Sequence, residues 1–238
     1  MKSLIIIPTY NERDNIKPFI EEINKFVQTD ILVIDDNSPD QTALLVKELQ
    51  KTNSFLFLLE RPGKMGLASA YLTGFQYAID KNYDVVFEMD ADFSHNPKYL
   101  PGFLEKIKHS DLVLGSRYIK GGGISNWSRF RMFISRMGNL YARIILTCPI
   151  KDLTGGFKCF KVDTLKKINL ASFSSGGYSF QVEMNYLFYK AGFKVVETPI
   201  IFEERREGQS KMSKKIFLEG MLKVWKMRFM RIKHYLKS

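Results

Sequence analysis

The chain has 238 residues, 45% hydrophobic and 26% charged, with a net charge of +11. This composition excludes a disordered or fibrous chain, and the length allows one large domain or at most two small ones. The amino terminus has only a short apolar run before Pro8, too short for a signal peptide, and no stretch reaches the roughly 18 apolar residues of a membrane span, so a soluble or peripheral protein is expected.

Continuous apolar runs recur at SLIII (3–7), DILVI (30–34), FLFLL (55–59), DVVFEM (84–89) and DLVLG (111–115). Runs without alternation mark strands covered on both faces. Between them lie segments with helical spacing: Ile16, Phe19, Ile20, Ile23 and Val27; then Leu44, Leu45 and Leu49; then Leu67, Ala70, Tyr71, Gly74 and Ala78. This alternation predicts an α/β fold, a mainly parallel sheet flanked by helices, with ligands bound beyond the carboxyl ends of the strands.

Polar clusters fall at those ends: Pro8-Thr9-Tyr10-Asn11-Glu12, Asp35-Asp36-Asn37-Ser38-Pro39-Asp40, Asp90-Ala91-Asp92 and Ser116-Arg117-Tyr118. There is no GxxxxGK[ST] phosphate loop, and no GxGxxG follows the first run. Gly121-Gly122-Gly123 reads as a flexible loop. Cys148 and Cys159 make neither a CxxC nor a zinc pattern, which fits a reduced, cytosolic setting.

In an extended backbone Asp90 and Asp92 aim at the same small volume, where like charges repel unless a cation joins them. A hard divalent cation, Mg²⁺ or Mn²⁺, commonly takes one or two carboxylates plus substrate phosphates. A diphosphate leaving group needs that help as charge builds on it. His95 is placed beside the pair rather than on the metal. Of Asp35 and Asp36, at most one is expected to reach a ligand.

The motifs PTYNE, VIDDNSPD, MDADFSH, GSRY, DLTGGFK and RREGQSK, in this order, resemble those of the dolichol-phosphate mannose synthases, inverting GT-A-fold glycosyltransferases of family 2. The resemblance covers about residues 4 to 211. It implies a GT-A domain over 1–209 that transfers mannose from GDP-mannose to a polyprenyl (dolichyl) phosphate with inversion. Pro8, Tyr10, Glu12, Ile34 and Asp36 would hold base and ribose; Asp90, Ala91 and Asp92 would meet the diphosphate, sugar and metal. Arg117, Arg205 and Lys211 would surround the phosphates, while Arg131 and Ser135 match positions for the lipid phosphate. Asp92, Arg117 and Arg131 would carry the catalysis. Some relatives have Gln where this chain has the shorter Ser94, which leaves a third metal contact open.

Residues 128–146 place Phe130, Phe133, Ile134, Met137, Leu140, Tyr141 and Ile144 on one stripe, with Arg129, Arg136 and Arg143 on another. The segment 210–238 repeats the design with Leu218, Met221, Leu222, Trp225, Phe229, Ile232 and Leu236. It holds nine Lys or Arg against Glu219 alone, a net +8 of the chain's +11. Basic amphipathic helices of this kind lie on membrane surfaces or pack their apolar stripe on the domain; with the first reading and a cytosolic setting, a peripheral protein on the cytoplasmic face of a membrane is expected. Many members of the family carry transmembrane helices, so a membrane-spanning partner subunit or the tail would anchor this chain. The alternatives are another sugar nucleotide (UDP-glucose or UDP-N-acetylglucosamine), nucleotidyl transfer, or nucleic-acid binding by the basic tail. Acidic clusters at the sheet edge argue against the last, so no nucleic-acid partner is expected.

Overall fold

A computed structural model describes residues 1–173, 176–204 and 214–237. In chain order the elements are β1 (Ser3–Thr9), α1 (Arg13–Asn24), β2 (Asp30–Asp35), α2 (Thr42–Gln50), β3 (Leu56–Glu60), α3 (Leu67–Asp80) and β4 (Val85–Glu88). There follow α4 (Leu100–Ile107), β5 (Leu112–Ser116), β6 (Gly123–Ile124), α5 (Arg129–Leu146), β7 (Lys158–Lys161) and α6 (Val162–Lys166). The described chain closes with α7 (Gly177–Lys190), β8 (Val195–Pro199), β9 (Ile201–Phe202) and α8 (Lys214–Arg228).

Seven strands form one sheet in the order β3-β2-β1-β4-β7-β5-β8, while β6 and β9 pair separately. Strands β3, β2, β1 and β4 are parallel, as are β5 and β8. The exception is β7, antiparallel to both β4 and β5. The all-apolar runs have a direct cause. Ile5, Ile7, Ile31 and Val33 face one core with α1, α2 and α4, and Leu4, Ile6, Leu32 and Ile34 face another with α3, α6 and α7. Each such side chain, fully buried, contributes about 1.5–3 kcal/mol.

The acidic run departs from the extended geometry its sequence suggests. β4 ends at Glu88, and Asp90 and Asp92 stand in the turn that follows. The backbone N–H of Met89 still donates to Ile6 O (3.1 Å), but that of Asp90 turns to His95 Nδ1 (3.0 Å). The N–H and hydroxyl of Ser94 both donate to Asp92 Oδ1 (3.0 and 2.6 Å). These local bonds compete with the ladder and end it. Phe93 takes φ +63°, a strained value for a bulky residue, with its ring against Phe19 at 5.1 Å.

The glycine run is not a loose loop. Gly121 (φ +87°) makes the turn, and Gly123 opens β6, its N–H bonded to Ile200 O at 3.0 Å. A Cβ on Gly122 would press into the backbone carbonyl of Ser116 and stand 3.1 Å from the Arg117 carbonyl carbon. Gly122→Ala is therefore expected to destabilise the protein by about 1–3 kcal/mol in urea unfolding. An unchanged midpoint would show that the loop moves freely away from β5.

Candidate active site

The carboxyl ends of β1, β2, β4 and β5 gather four groups of side chains along one edge. At the end of β2, Asp35 caps its own turn: it accepts from Thr9 Oγ1 (2.8 Å), Ser38 N (2.8 Å) and Ser38 Oγ (2.6 Å). Asp36 faces the other way. Its Oδ1 accepts from Arg61 Nε at 2.6 Å and its Oδ2 from the N–H groups of Met65 (3.0 Å) and Gly66 (3.2 Å). Arg61 continues to Ser69 Oγ (2.8 Å) at the start of α3. Tyr10 lies nearby with Lys64 Nζ 4.0 Å above its ring. Pro8 is half-buried in β1, and Glu12 precedes α1 with Oε2 accepting from Asn15 (2.9 Å). Ile34 is wholly buried, so its side chain is withdrawn into the core. A cleft of about 540 Å³ opens beside Met65, Gly66 and Ser69, between α3 and the start of α7.

At the acidic turn, Asp92, Ser94 and His95 are buried, Asp90 is half-exposed, and Ala91 points into the core. His95 accepts at Nδ1, so its ring proton sits on Nε2; the ring stacks on Phe157 at 5.1 Å. His95 thus supports the turn. Tyr71, from α3, donates its phenol proton to Asp90 Oδ1 at 2.8 Å. Burial and the neighbouring carboxylates push the Tyr71 phenol well above its ordinary range, so it remains a donor. The donor set suits a hard divalent cation: two carboxylates in one turn, Asp92 buried and Asp90 partly exposed, each oriented through one oxygen by a neutral hydroxyl. Among the described residues, no cluster of three or more His, Cys, Asp or Glu builds a closed cage, so phosphate oxygens and water would complete the shell.

Opposite stands a basic wall. Arg117, at the end of β5, grips Asp152 through Nε–Oδ2 (2.7 Å), Nη2–Oδ1 (2.8 Å) and its backbone N–H (3.0 Å), and Nη2 also reaches Thr154 Oγ1 (2.7 Å). Burial alone would raise the Asp152 carboxyl, but Arg117 and these bonds hold it below its ordinary value. The loop carrying Asp152 is pinned by Glu197 of β8 and Asn139 of α5. Tyr118 and Ser135 share a hydrogen bond of 2.8 Å, which seats α5 against the end of β5. Arg131 lies 3.9 Å above the Trp127 ring and pairs with Glu204 at 2.6 Å. Phe202 joins the two sides: its ring centroid is 6.0 Å from that of His95, 5.4 Å from the Arg117 guanidinium and 5.7 Å from the centroid of Trp127. Arg205 and Lys211 lie outside the described residues.

Beneath the acidic turn, Glu88 and Lys158 are wholly buried, 3.4 Å apart, with Lys158 also bonded to Gln181. Lys158 and Gln181 both draw on the Glu88 carboxylate, with the charge of Lys158 the larger influence. Burial outweighs Lys158 and pushes the Glu88 carboxyl up to about 7; burial also lowers Lys158, against the pull of Glu88.

An apolar groove of about 290 Å³ runs from Ser135 and Thr154 between α5, α7 and α8, past Met137, Tyr141, Val182 and Met221. On the outer surface α5 exposes Phe130, Phe133, Leu140 and Ile144, with Met137 at the groove's rim, and α8 exposes Leu222 and Trp225, with Phe229 exposed just past its end. The inward faces are packed: Ala142 and Leu146 of α5 share a core with Val224 and Met227 of α8. Both amphipathic segments therefore pack with one face and show the other. Leu236, expected on the exposed stripe, instead packs on the core and bridges to Ile168. No helix among the described residues is long and apolar enough to cross a membrane.

The architecture is that of a GT-A glycosyltransferase, and comparison with known proteins agrees. Residues 4–168 match the glycosyl transferase family 2 model. The chain is 41% identical to the undecaprenyl-phosphate mannosyltransferase of Micrococcus luteus over 94% of its own length and 93% of that protein. It is also 41% identical to the polyprenol monophosphomannose synthase of Mycolicibacterium smegmatis, over 94% of this chain and 85% of that one. Among solved structures, the mannosyltransferase PcManGT of Pyrobaculum calidifontis, in complex with GDP-Man and Mn²⁺, superposes with a TM-score of 0.57 at 16% identity. That match covers 88% of this chain and 58% of PcManGT. The chain belongs to glycosyl transferase family 2 and is a glycosyltransferase.

Reading the sequence alone missed Asp152, Thr154, Glu204 and Tyr71 as parts of the site, and placed Tyr118 at its edge without a role. Asp152 lay inside a recognised motif without a role, and Tyr71 was absorbed into a helical core stripe.

Two outcomes follow for the buried ion pairs. Asp152→Asn should cost about 3–5 kcal/mol at pH 7 by leaving Arg117 buried without its counter-charge. Because the folded carboxyl titrates below its ordinary 3.8, that stabilisation is complete above 3.8 and is lost as the pH falls through the lower folded value. Denaturation in steps of pH checks this: the gap between wild type and variant should close in acid. Lys158→Met should cost less, about 1–3 kcal/mol, because Glu88, already pushed up to about 7, takes a proton once its counter-charge is gone and is left as a buried polar group. Glu88→Leu added to it should recover most of the loss. A double variant no better than the single one would refute the pairing.

Proposed function

We propose that this enzyme transfers mannose from GDP-mannose to a polyprenyl phosphate, with inversion, at a membrane surface. The observation that carries the reading is the arrangement around Phe202. It sets an acidic turn against a basic wall, and an apolar groove begins at that wall's Ser135. The two relatives named for undecaprenyl-phosphate and polyprenol support the acceptor class. PcManGT, whose complex holds GDP-Man and Mn²⁺, supports the donor and a divalent ion.

In this reading Pro8, Tyr10, Glu12 and the Asp36–Arg61 cluster receive the nucleoside, with Ile34 behind them supplying backbone and packing. Asp90 and Asp92 hold Mg²⁺ or Mn²⁺, which when bound offsets the charge growing on the departing diphosphate. Arg117, fixed by Asp152, faces the phosphates, and Arg131 and Ser135 take the lipid phosphate; Arg205 and Lys211 are assigned to the same phosphates. A lipid monophosphate has a second pKa near ~6 and arrives as an oxyanion at neutral pH. The protein therefore needs no strong base at the acceptor. Its task is to hold two anions near each other and in line for displacement at the anomeric carbon. The exposed apolar faces of α5 and α8, edged by Arg129, Arg136, Lys223 and Lys226, would lie in the bilayer interface where the acceptor's phosphate is found.

Incubation with GDP-mannose, polyprenyl phosphate and Mg²⁺ or Mn²⁺ should give lipid-linked mannose on thin-layer separation. Asp92→Asn should lower the rate at least ~100-fold. A lack of product, or equal competition by unlabelled GDP and UDP, would overturn the donor assignment. Replacing Phe130 and Phe133 by Ser should release the protein from anionic vesicles in co-sedimentation while leaving its melting temperature in place; unchanged sedimentation would remove α5 from the membrane contact.

A further inference from the structure

We propose that Tyr71 is a positioning residue for the metal site: its phenol sets the direction of the Asp90 carboxylate. This rests on the proposed metal-dependent transfer and adds to it the residue that orients one ligand. Tyr71 occupies the buried stripe of α3 among Ala68, Ala70, Phe75 and Ala78, and none of its surface is exposed. Packing alone would be met by Phe, because a buried hydroxyl costs about 1–3 kcal/mol unless it is hydrogen-bonded. Here the hydroxyl has a partner, Asp90 Oδ1 at 2.8 Å.

The two carboxylates are oriented by different means. Asp92 accepts from Ser94, two residues along the same turn. The backbone of Asp90 is fixed by His95, but its side chain is held by Tyr71, from another element. The same helix carries Ser69, which accepts from Arg61, the partner of Asp36. Residues 69 and 71 of α3 thus tie the β2 edge to the β4 edge. The bond from Tyr71 occupies Oδ1 and restricts rotation of the carboxylate, so Oδ2 is presented in one direction. Hydrogen-bond partners of metal ligands commonly change metal affinity 10–100-fold.

The test is Mn²⁺ binding by the full chain in the presence of GDP, read from the electron paramagnetic resonance signal of free Mn²⁺, beside the melting temperature of the metal-free protein. Tyr71→Phe should weaken Mn²⁺ binding about tenfold or more with melting changed by only a few degrees. Phe75→Leu, in the same stripe and without contact to Asp90, should lower the melting temperature and leave Mn²⁺ affinity alone. Wild-type affinity in Tyr71→Phe overturns the proposal and leaves metal-dependent transfer standing. An affinity loss that tracks melting temperature in both variants assigns Tyr71 to packing and also overturns it. Wild-type protein that takes up no Mn²⁺ overturns the metal reading itself.

Discussion

The site depends on the hydrogen bonds that end β4 and fix the acidic turn, because they and not the strand decide where Asp90 and Asp92 stand. Tyr71 and Ser94 contribute neutral hydroxyl donors, each to one oxygen of a carboxylate. Behind the turn, Lys158 is spent on Glu88, a third carboxylate under the same strand end. The turn is thus built at the expense of folding, over a buried ion pair and through a strained φ at Phe93. In the proposed reaction a divalent cation with a diphosphate then binds to a site that is already oriented.

The basic wall follows a different rule. Arg117 and Asp152 are both buried and share a two-pronged contact, so separating them leaves a stranded charge. Arg117 is in effect a fixed positive fixture, whose direction is set by the loop that Glu197 and Asn139 secure. Arg131 and Glu204 are each more than a third exposed, and such pairs contribute only about 0–1 kcal/mol. Trp127 keeps the Arg131 guanidinium in place while its carboxylate partner is exchangeable. The wall thus combines one immovable cation with one whose anion can be replaced.

The parts legible in the sequence were those with a local physical signature. Continuous apolar runs revealed β1 to β5 because both faces of the sheet are covered, and seven-residue spacing revealed α5. β7 was illegible: its KCFK is short and contains two lysines, and its place between β4 and β5 is fixed by pairing with distant strands. The acidic pair was visible but its backbone was not, because the bonds of His95 and Ser94 that end β4 are tertiary choices by common residue types. Tyr71 shows the limit most clearly. Its spacing says core, and only the position of Asp90, nineteen residues away, reveals what its hydroxyl does.

The exposed face of α5 has a consequence for how the two substrates meet. Along this helix Phe130, Phe133, Met137, Leu140 and Ile144 lie on one side, and Arg131 and Ser135 on another, beside Trp127 and Tyr118. Apolar groups this large and contiguous are uncommon on a protein that meets only water. A helix sunk in an interface by that apolar side is held at one depth and one rotation, because turning it would bury its arginines or wet its phenylalanines. Arg131 and Ser135, about 6 Å apart along the axis, then sit at a fixed height above the acyl region. Under the proposed function that height is set by the helix and not by the ligand, so a lipid phosphate meets its cations wherever the enzyme is docked, and the groove at Ser135 receives the chain that follows it.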